Sequence, residues 1–173
     1  MVRNPFKRAV AVPAPVLDAA PLEKGEKVLA ALVARDGTWL LGTRDALVIT
    51  GPIATRIAWQ RVERADWDRD EESLKVSEVG EFGRPRPEYA FGIDDPGLLL
   101  ELIRERVTAS VVLQRHVRVA GRQGLFVVAR RAPRGDGEIS WAYEFDPGVD
   151  PDDPVVMAAA QRGLDAAAEE LGG

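Results

Sequence analysis

The stretch YAFGIDDPGLLLELIRERV, Tyr89 to Val107, changes its period in the middle, and that change decides the fold class. Tyr89-Ala90-Phe91-Gly92-Ile93 reads as a strand, whereas Leu98, Leu99, Leu102, Ile103, Arg106 and Val107 recur at helical spacing. Between them Asp95-Pro96 is a helix start. An aspartate can cap orphan N–H groups, and a proline in the first turn sacrifices no bond. The spacing predicts a helix that buries Leu99, Leu102 and Ile103 on the preceding sheet and leaves Glu101, Arg104 and Glu105 wet. Period alone leaves open whether it runs to about Arg115 or yields to strand near Val111.

Upstream, residues 25–93 read as successive antiparallel strands. Lys27 to Val33 is an apolar run, Arg35-Asp36-Gly37 supplies the Asp-Gly pair of a tight hairpin, and Trp39-Leu40-Leu41 returns. Ala46 to Ile49 is closed by Gly51-Pro52, and Thr55 to Trp59 alternates as a half-buried strand should. Val62–Trp67, Leu74–Val79 and Tyr89–Ile93 follow, with Gly80 to Pro87 as an exposed loop. Ahead of them, residues 1–24 form a Pro/Ala-rich arm, read as extended because each proline fixes its own backbone and biases its neighbour away from helix. Such an arm is either loose or packed on the domain or a partner.

Downstream, His116–Val119, Leu125–Arg130 and Ile139–Phe145 read as a meander with turns at Gly121-Arg122-Gln123-Gly124 and Arg134-Gly135-Asp136-Gly137. A second Asp-Pro pair, Asp153-Pro154, starts a helix reaching about Leu171. Each Asp-Pro pair follows an aromatic strand, Tyr89-Ala90-Phe91 or Trp141-Ala142-Tyr143-Glu144-Phe145. Either a duplicated unit or reuse of a common helix start explains this.

The chain has 173 residues, 46% of them hydrophobic, which suits one compact domain or two small units sharing a core. There is no cysteine and one histidine, which removes disulfides, thiolate nucleophiles and multi-histidine metal sites. The basic start Met1 to Arg8 is not followed by an apolar run, since Pro13 and Pro15 interrupt Ala9 to Val16. Neither export nor membrane spanning is expected, so the location is read as cytoplasmic.

The net charge of -5 conceals a gradient: residues 101–134 carry +6 and residues 135–173 carry -9. An acidic chain is no general nucleic-acid coat, but a local basic strip could hold phosphates. Arg115, His116, Arg118, Arg122, Arg130 and Arg131, with Arg134 beyond them, are the candidate ligand-binding residues. Alternate residues on a strand share a face, so His116 and Arg118 should point together while Arg130 and Arg131 diverge. The competing reading pairs the strip with the acidic C-terminal segment. Nineteen of the 23 basic residues are arginine, and with abundant Ala, Gly and Val this fits high-GC bacterial codon usage.

Residues 25 to about 114 resemble the pleckstrin-homology-like superfamily in its bacterial PH and GRAM-like form. The matching features are Gly25-Glu26-Lys27-Val28-Leu29, the Thr43-Arg44-Asp45-Ala46-Leu47-Val48-Ile49 strand, and Arg56-Ile57-Ala58-Trp59-Gln60-Arg61-Val62 entering a short turn. The resemblance implies an α+β fold: an antiparallel bent sheet or PH-like barrel closed by a helix, followed here by the β-meander and C-terminal helix. It divides the chain into an arm at 1–24, a PH-like domain at 25–115 and the remainder at 116–173. It implies a non-enzymatic role in binding or assembly, with a protein partner or another copy of the chain. Lipid-binding members have a basic first hairpin loop. Here Arg35-Asp36-Gly37 is short and carries an acid, so phosphoinositide binding is not expected.

No catalytic residue, cofactor or metal ligand set emerges. His116 sits between Arg115 and Arg118 with no G-x-S-x-G elbow to present a serine, and nothing selects a carboxylate pair. Asp146 to Asp153 lacks the ligand order and terminal glutamate of an EF-hand, so caps and turns account for its acids. No Walker loop or G-x-G-x-x-G occurs. Trp39 and Trp141 read as packing residues. Trp59 and Trp67, with Arg61 and Arg64, are the candidate partner interface, because aromatic and arginine clusters are enriched there, although packing also suits Trp59.

Overall fold

The computed structural model describes residues 10–80 and 85–172. The basic start at residues 1–8 and the centre of the 80–87 loop lie outside them. Over these residues the chain is α+β, with three antiparallel sheets and three α-helices. Strands β1 (Val28–Val33), β2 (Trp39–Thr43), β3 (Ala46–Ile49) and β4 (Thr55–Ala58) form the first sheet in sequence order. A 3-10 turn, Trp59–Arg61, leads to the second sheet, β5 (Val62–Asp68), β6 (Ser73–Glu78) and β7 (Glu88–Gly92). Helix α2 (Gly97–Ser110) follows. The third sheet has the order β10-β9-β8, from β8 (Val111–Ala120), β9 (Gln123–Arg130) and β10 (Ser140–Phe145), and α3 (Pro154–Glu170) lies on it.

The period change at Asp95-Pro96 works as the chemistry requires. The Asp95 carboxylate accepts from the Gly97 N–H at 2.8 Å, with the helix counted from Gly97. Its buried face is Leu99, Leu100 and Ile103, packed with Leu40, Leu47, Leu74 and Trp59 between the first two sheets. Leu102, expected at the centre, is half-buried against that cluster, and Leu100 is buried in its place. At the other end α2 stops at Ser110 and strand begins at Val111, so the third sheet starts ahead of residue 116. β-branched Val111 and Val112 favour the extended state there.

The seven N-terminal strands make two open sheets instead of a closed barrel. The turn at Trp59–Arg61 interrupts the ladder between β4 and β5. The Val79 N–H bonds the Arg61 carbonyl at 2.8 Å, continuing the β5–β6 ladder into the turn, and the Arg35 N–H bonds the Gly92 carbonyl at 2.9 Å, joining the end of the first hairpin strand to β7. Thr43 to Ile49 is likewise two strands and a turn, whose Thr43 hydroxyl accepts from the Asp45 and Ala46 N–H groups. The arm is not wholly extended. Ala14–Ala19 is a short helix, α1, with proline at its start, where proline is tolerated. Val12, Ala20 and Leu22 pack on Ala31, Leu41 and Val48, on the outer face of the first sheet.

The third sheet and α3 form their own core from Leu125, Val127, Val156, Ala160 and Ala167. Asp153 caps α3 by accepting from Val155 N at 2.8 Å. Alanines and Gly163 let α3 sit close: a Cβ at Gly163 would fall 2.4 Å from Val117 Cγ2. Gly124 is tighter still, since its Cβ would lie 1.9 Å from the Val117 carbonyl oxygen. Gly124→Ala should therefore destabilise by about 3 kcal/mol or more, because backbone cannot step aside as a side chain can. Ile103→Ala should cost about 2–5 kcal/mol. Urea denaturation of both variants checks these values.

Candidate functional site

The third sheet has two faces. Leu113, Arg115, Val117 and Val119 of β8 point to α3, while Val112, Gln114, His116 and Arg118 point away from it. On this second face, at the end of β9, Arg130 is buried, with its side chain only 4% exposed. Its Nη1 donates to the Val62 carbonyl at 3.4 Å and to Ser110 Oγ at 3.1 Å, and its Nη2 to Glu144 Oε1 at 3.3 Å. One guanidinium thus ties β9 to the start of β5, the last residue of α2, and β10. The neighbouring Arg131 N–H donates to the Ser110 carbonyl at 2.9 Å.

Beside this tie lies a cleft of about 490 Å³ between β5, the end of α2 and the third sheet. Glu63, Arg64, Gln114, Arg130 and Glu144 supply its polar wall, and Val107, Val111 and Val128 its apolar one. Burial pushes the Glu63 carboxyl up, against the pull of Arg86, with which it forms an ion pair, and the nearby Glu144 charge adds to the rise. Arg64 pairs with Asp66 at 3.0 Å. Neither Glu63, Glu144 nor Ser110 is singled out by any motif. A signal for them lies only in the hairpin register, which places Glu144 on the same face as Val128 and Arg130.

The candidate basic strip is dispersed. Arg115 faces α3 and pairs with Glu170, His116 and Arg118 share the opposite face, and Arg122 lies in the exposed β8–β9 turn. Arg130 points into the seam, so it cannot meet a ligand at the surface, because a buried guanidinium must bond to its surroundings. Arg131 is half-buried, and Arg134 pairs with Asp45 at 2.7 Å. Three pairs join the basic and acidic segments: Arg115–Glu170, His116–Asp146 and Arg130–Glu144. Among the described residues only Arg118 and Arg122 of the strip are exposed without an ion pair.

His116 Nε2 lies 3.0 Å from Asp146 Oδ2, which also accepts from Gly124 N at 2.8 Å, and its ring tilts over Phe126. These bonds, the His116 contact first, hold the Asp146 carboxyl below its ordinary range. This pair joins β8 to the segment after β10. Of the aromatic candidates, Trp59 is fully buried and donates to the Thr43 carbonyl at 3.1 Å, so it is a core residue and presents nothing to a partner. Trp67 and Arg61 are half-buried and Arg64 is exposed. In the first hairpin Arg35 is bound by Asp94 and Glu72 through its Nε and Nη2.

Among the described residues no group of three or more His, Cys, Asp or Glu is placed to hold a metal, and no helix is long and apolar enough to cross a membrane. No protein-family model, curated protein or solved structure matches the chain.

Two outcomes follow from this geometry. Arg130→Ala should cost about 3 kcal/mol, since it strands the partners of a buried charge, while Arg118→Ala should stay within about 0.5 kcal/mol in the same urea titration. A carboxyl lowered in the folded state stabilises above its unfolded value of 3.8, and that contribution is lost as pH falls through the folded value. Asp146→Asn should therefore flatten the loss of stability at the acid end, as followed by denaturation from neutral pH downward.

Proposed function

We propose that this chain is a non-enzymatic binding or assembly module of the pleckstrin-homology-like type, engaging a protein partner or another copy of itself. The resemblance implies a bent antiparallel sheet or barrel closed by a helix, and two open antiparallel sheets, of four and three strands, with α2 packed on their shared core support the reading as far as sheet type and closing helix. The observation that carries the reading is the first sheet's free edge. Among the described residues β1 pairs only with β2, and it exposes Leu29 (49%) and Val33 (45%). The tip of the β3–β4 hairpin adds Ile53, 86% exposed. An unpaired edge with apolar side chains is a template for another chain, which would contribute main-chain hydrogen bonds and side-chain burial together. A cytoplasmic location suits such a module.

A phosphate- or RNA-binding role is less well supported, since only Arg118 and Arg122 of the basic strip are exposed and free of ion pairs among the described residues. Binding through few phosphate contacts is weak at physiological salt.

The test is sedimentation velocity of the purified chain together with affinity capture from the native cell, with and without nuclease. Leu29→Lys with Val33→Lys should abolish self-association or nuclease-resistant capture, with stability shifted by no more than about 0.5 kcal/mol per site. Salt-dependent RNA binding near 0.15 M ionic strength, lost in Arg118→Gln with Arg122→Gln, would replace this reading by the other.

A further inference from the structure

We infer that two copies of this chain join antiparallel along β8, about a two-fold axis at His116, so that their three-stranded third sheets become one continuous sheet with both α3 helices on the same face. The inference does not rest on the β1 reading above, because β8 lies in a different sheet and shares no residue with β1.

Hydrogen-bond parity in the third sheet identifies the open groups of β8. The Asp146 N–H bonds the Gly124 carbonyl and the Arg131 N–H bonds the Ser110 carbonyl, so even residues of β9 bond β10 and odd ones bond β8. Leu113, Arg115 and Val117 therefore turn their N–H and C=O groups to β9, while Gln114, His116 and Arg118 turn theirs to the free side. Among the described residues these outward groups have no hydrogen-bond partner. The strand is ten residues long, carries no proline, and shifts register only near its ends, at Val111/Leu113 and Arg118/Ala120. An edge of that kind is a template for another strand.

Symmetry selects a second copy as the occupant. With His116 on the axis, Gln114 stands opposite Arg118 of the second copy, and every outward group of the regular stretch is paired. On the α3 face the same register sets Leu113 against Val119 and Val117 against the aliphatic stem of Arg115. On the other face it brings the Gln114 amide oxygen to the Arg118 guanidinium, which has no ion pair among the described residues, while His116 keeps its bond to Asp146.

Helix α3 fits the same axis. A Cβ at Gly163 would meet both Val117 and Val127, so α3 lies over the β8–β9 pair. Its copy then lies two strand spacings away, about 10 Å, which is the distance at which helices pack. Glu170, paired with Arg115, marks the flank of α3 above β8, and Arg162 and Ala166 share that flank at helical spacing. His116 falls between Val117, under Gly163, and Arg115, at Glu170, so the two helices meet at Ala166, which is exposed. Antiparallel helices meeting there set Arg162 beside Glu169 of the second copy. Both residues are exposed and without an ion pair among the described residues. A strand of unrelated sequence would fill the hydrogen bonds of β8 but not these matched side chains.

The test is sedimentation velocity of the full chain at concentrations up to about 500 μM. The native chain should reach twice the chain mass. Gln114→Pro removes an outward N–H at an exposed position of an edge strand, where proline is tolerated, and should give monomers with unchanged circular dichroism. A second pair of variants leaves the strand untouched. Arg162→Glu meets Glu169 with like charge and should weaken the dimer about tenfold or more, and Arg162→Glu combined with Glu169→Arg should restore it. Leu29→Lys with Val33→Lys should leave this dimer intact, which separates it from the β1 reading. A native chain that stays monomeric throughout would overturn the inference, and so would a dimer that persists in folded Gln114→Pro. Equally, it is overturned if Arg162→Glu leaves the dimer unweakened, if the charge exchange fails to restore it, or if Leu29→Lys with Val33→Lys abolishes it. A monomeric chain whose nuclease-resistant capture is lost in Gln114→Pro would assign the β8 edge to a different protein instead.

Discussion

The buried guanidinium of Arg130 is the constraint on which the relation between the two halves of the molecule depends. Its partners belong to β5, α2 and β10, so satisfying it fixes three elements at once. A charge taken out of water without bonds is costly, and arrangements of the third sheet that leave it unbonded are penalised accordingly. Arginine suits this place better than lysine because its planar fork presents several donors in fixed directions. A consequence is the cleft beside it, where polar groups of β5 and the third sheet face each other around the tie.

The other face of the third sheet is governed by close approach. Ala160, Gly163 and Ala167 give α3 a nearly flat surface against Val117 and Val127. β9, central in its sheet, is consequently buried on both sides, by α3 against Leu125 and Val127 and by the seam around Val128 and Arg130. The basic and acidic segments also meet here, through Arg115–Glu170, His116–Asp146 and Arg130–Glu144. The exposed pairs contribute roughly 0–1 kcal/mol each, so they order the surface more than they hold the fold. The buried one sets geometry.

What was legible in the sequence is what is encoded locally. The strands from Val28 to Gly92, the meander and both Asp-Pro helix starts are matters of period and capping, and all are present. What was not legible depends on long-range contact. Prolines 13 and 15 are compatible with extended chain and with a helix's first turn, and packing of the arm on Ala31, Leu41 and Val48 selects the helix. The burial of Arg130 has no local mark in a chain so rich in arginine. Asp146 meets His116 only because β10 pairs with β9 and β9 with β8, a register that two hairpins must fix together. Of the candidate residues, the shared face of His116 and Arg118 was legible from alternation alone. The cleft was not, since its walls come from elements distant in sequence.

The open corners between the first two sheets have a consequence for assembly. A closed barrel has no free edge, but the turn at Trp59–Arg61 breaks the ladder where closure would begin, and the bond from the Arg35 N–H to the Gly92 carbonyl joins the end of the first hairpin strand to β7. Trp59 itself is held in that turn, its indole bonded to the Thr43 carbonyl and its ring packed in the core. The interruption is thus built into the most buried aromatic of the domain, and straightening the chain there would empty the core. β1 is the other edge of the first sheet: the hydrogen bonds that would cover it have no strand to come from within the described residues. Among the described residues this edge exposes Leu29 and Val33, so the core packing that bends the chain at Trp59 and the apolar surface at β1 belong to one architecture of open sheets.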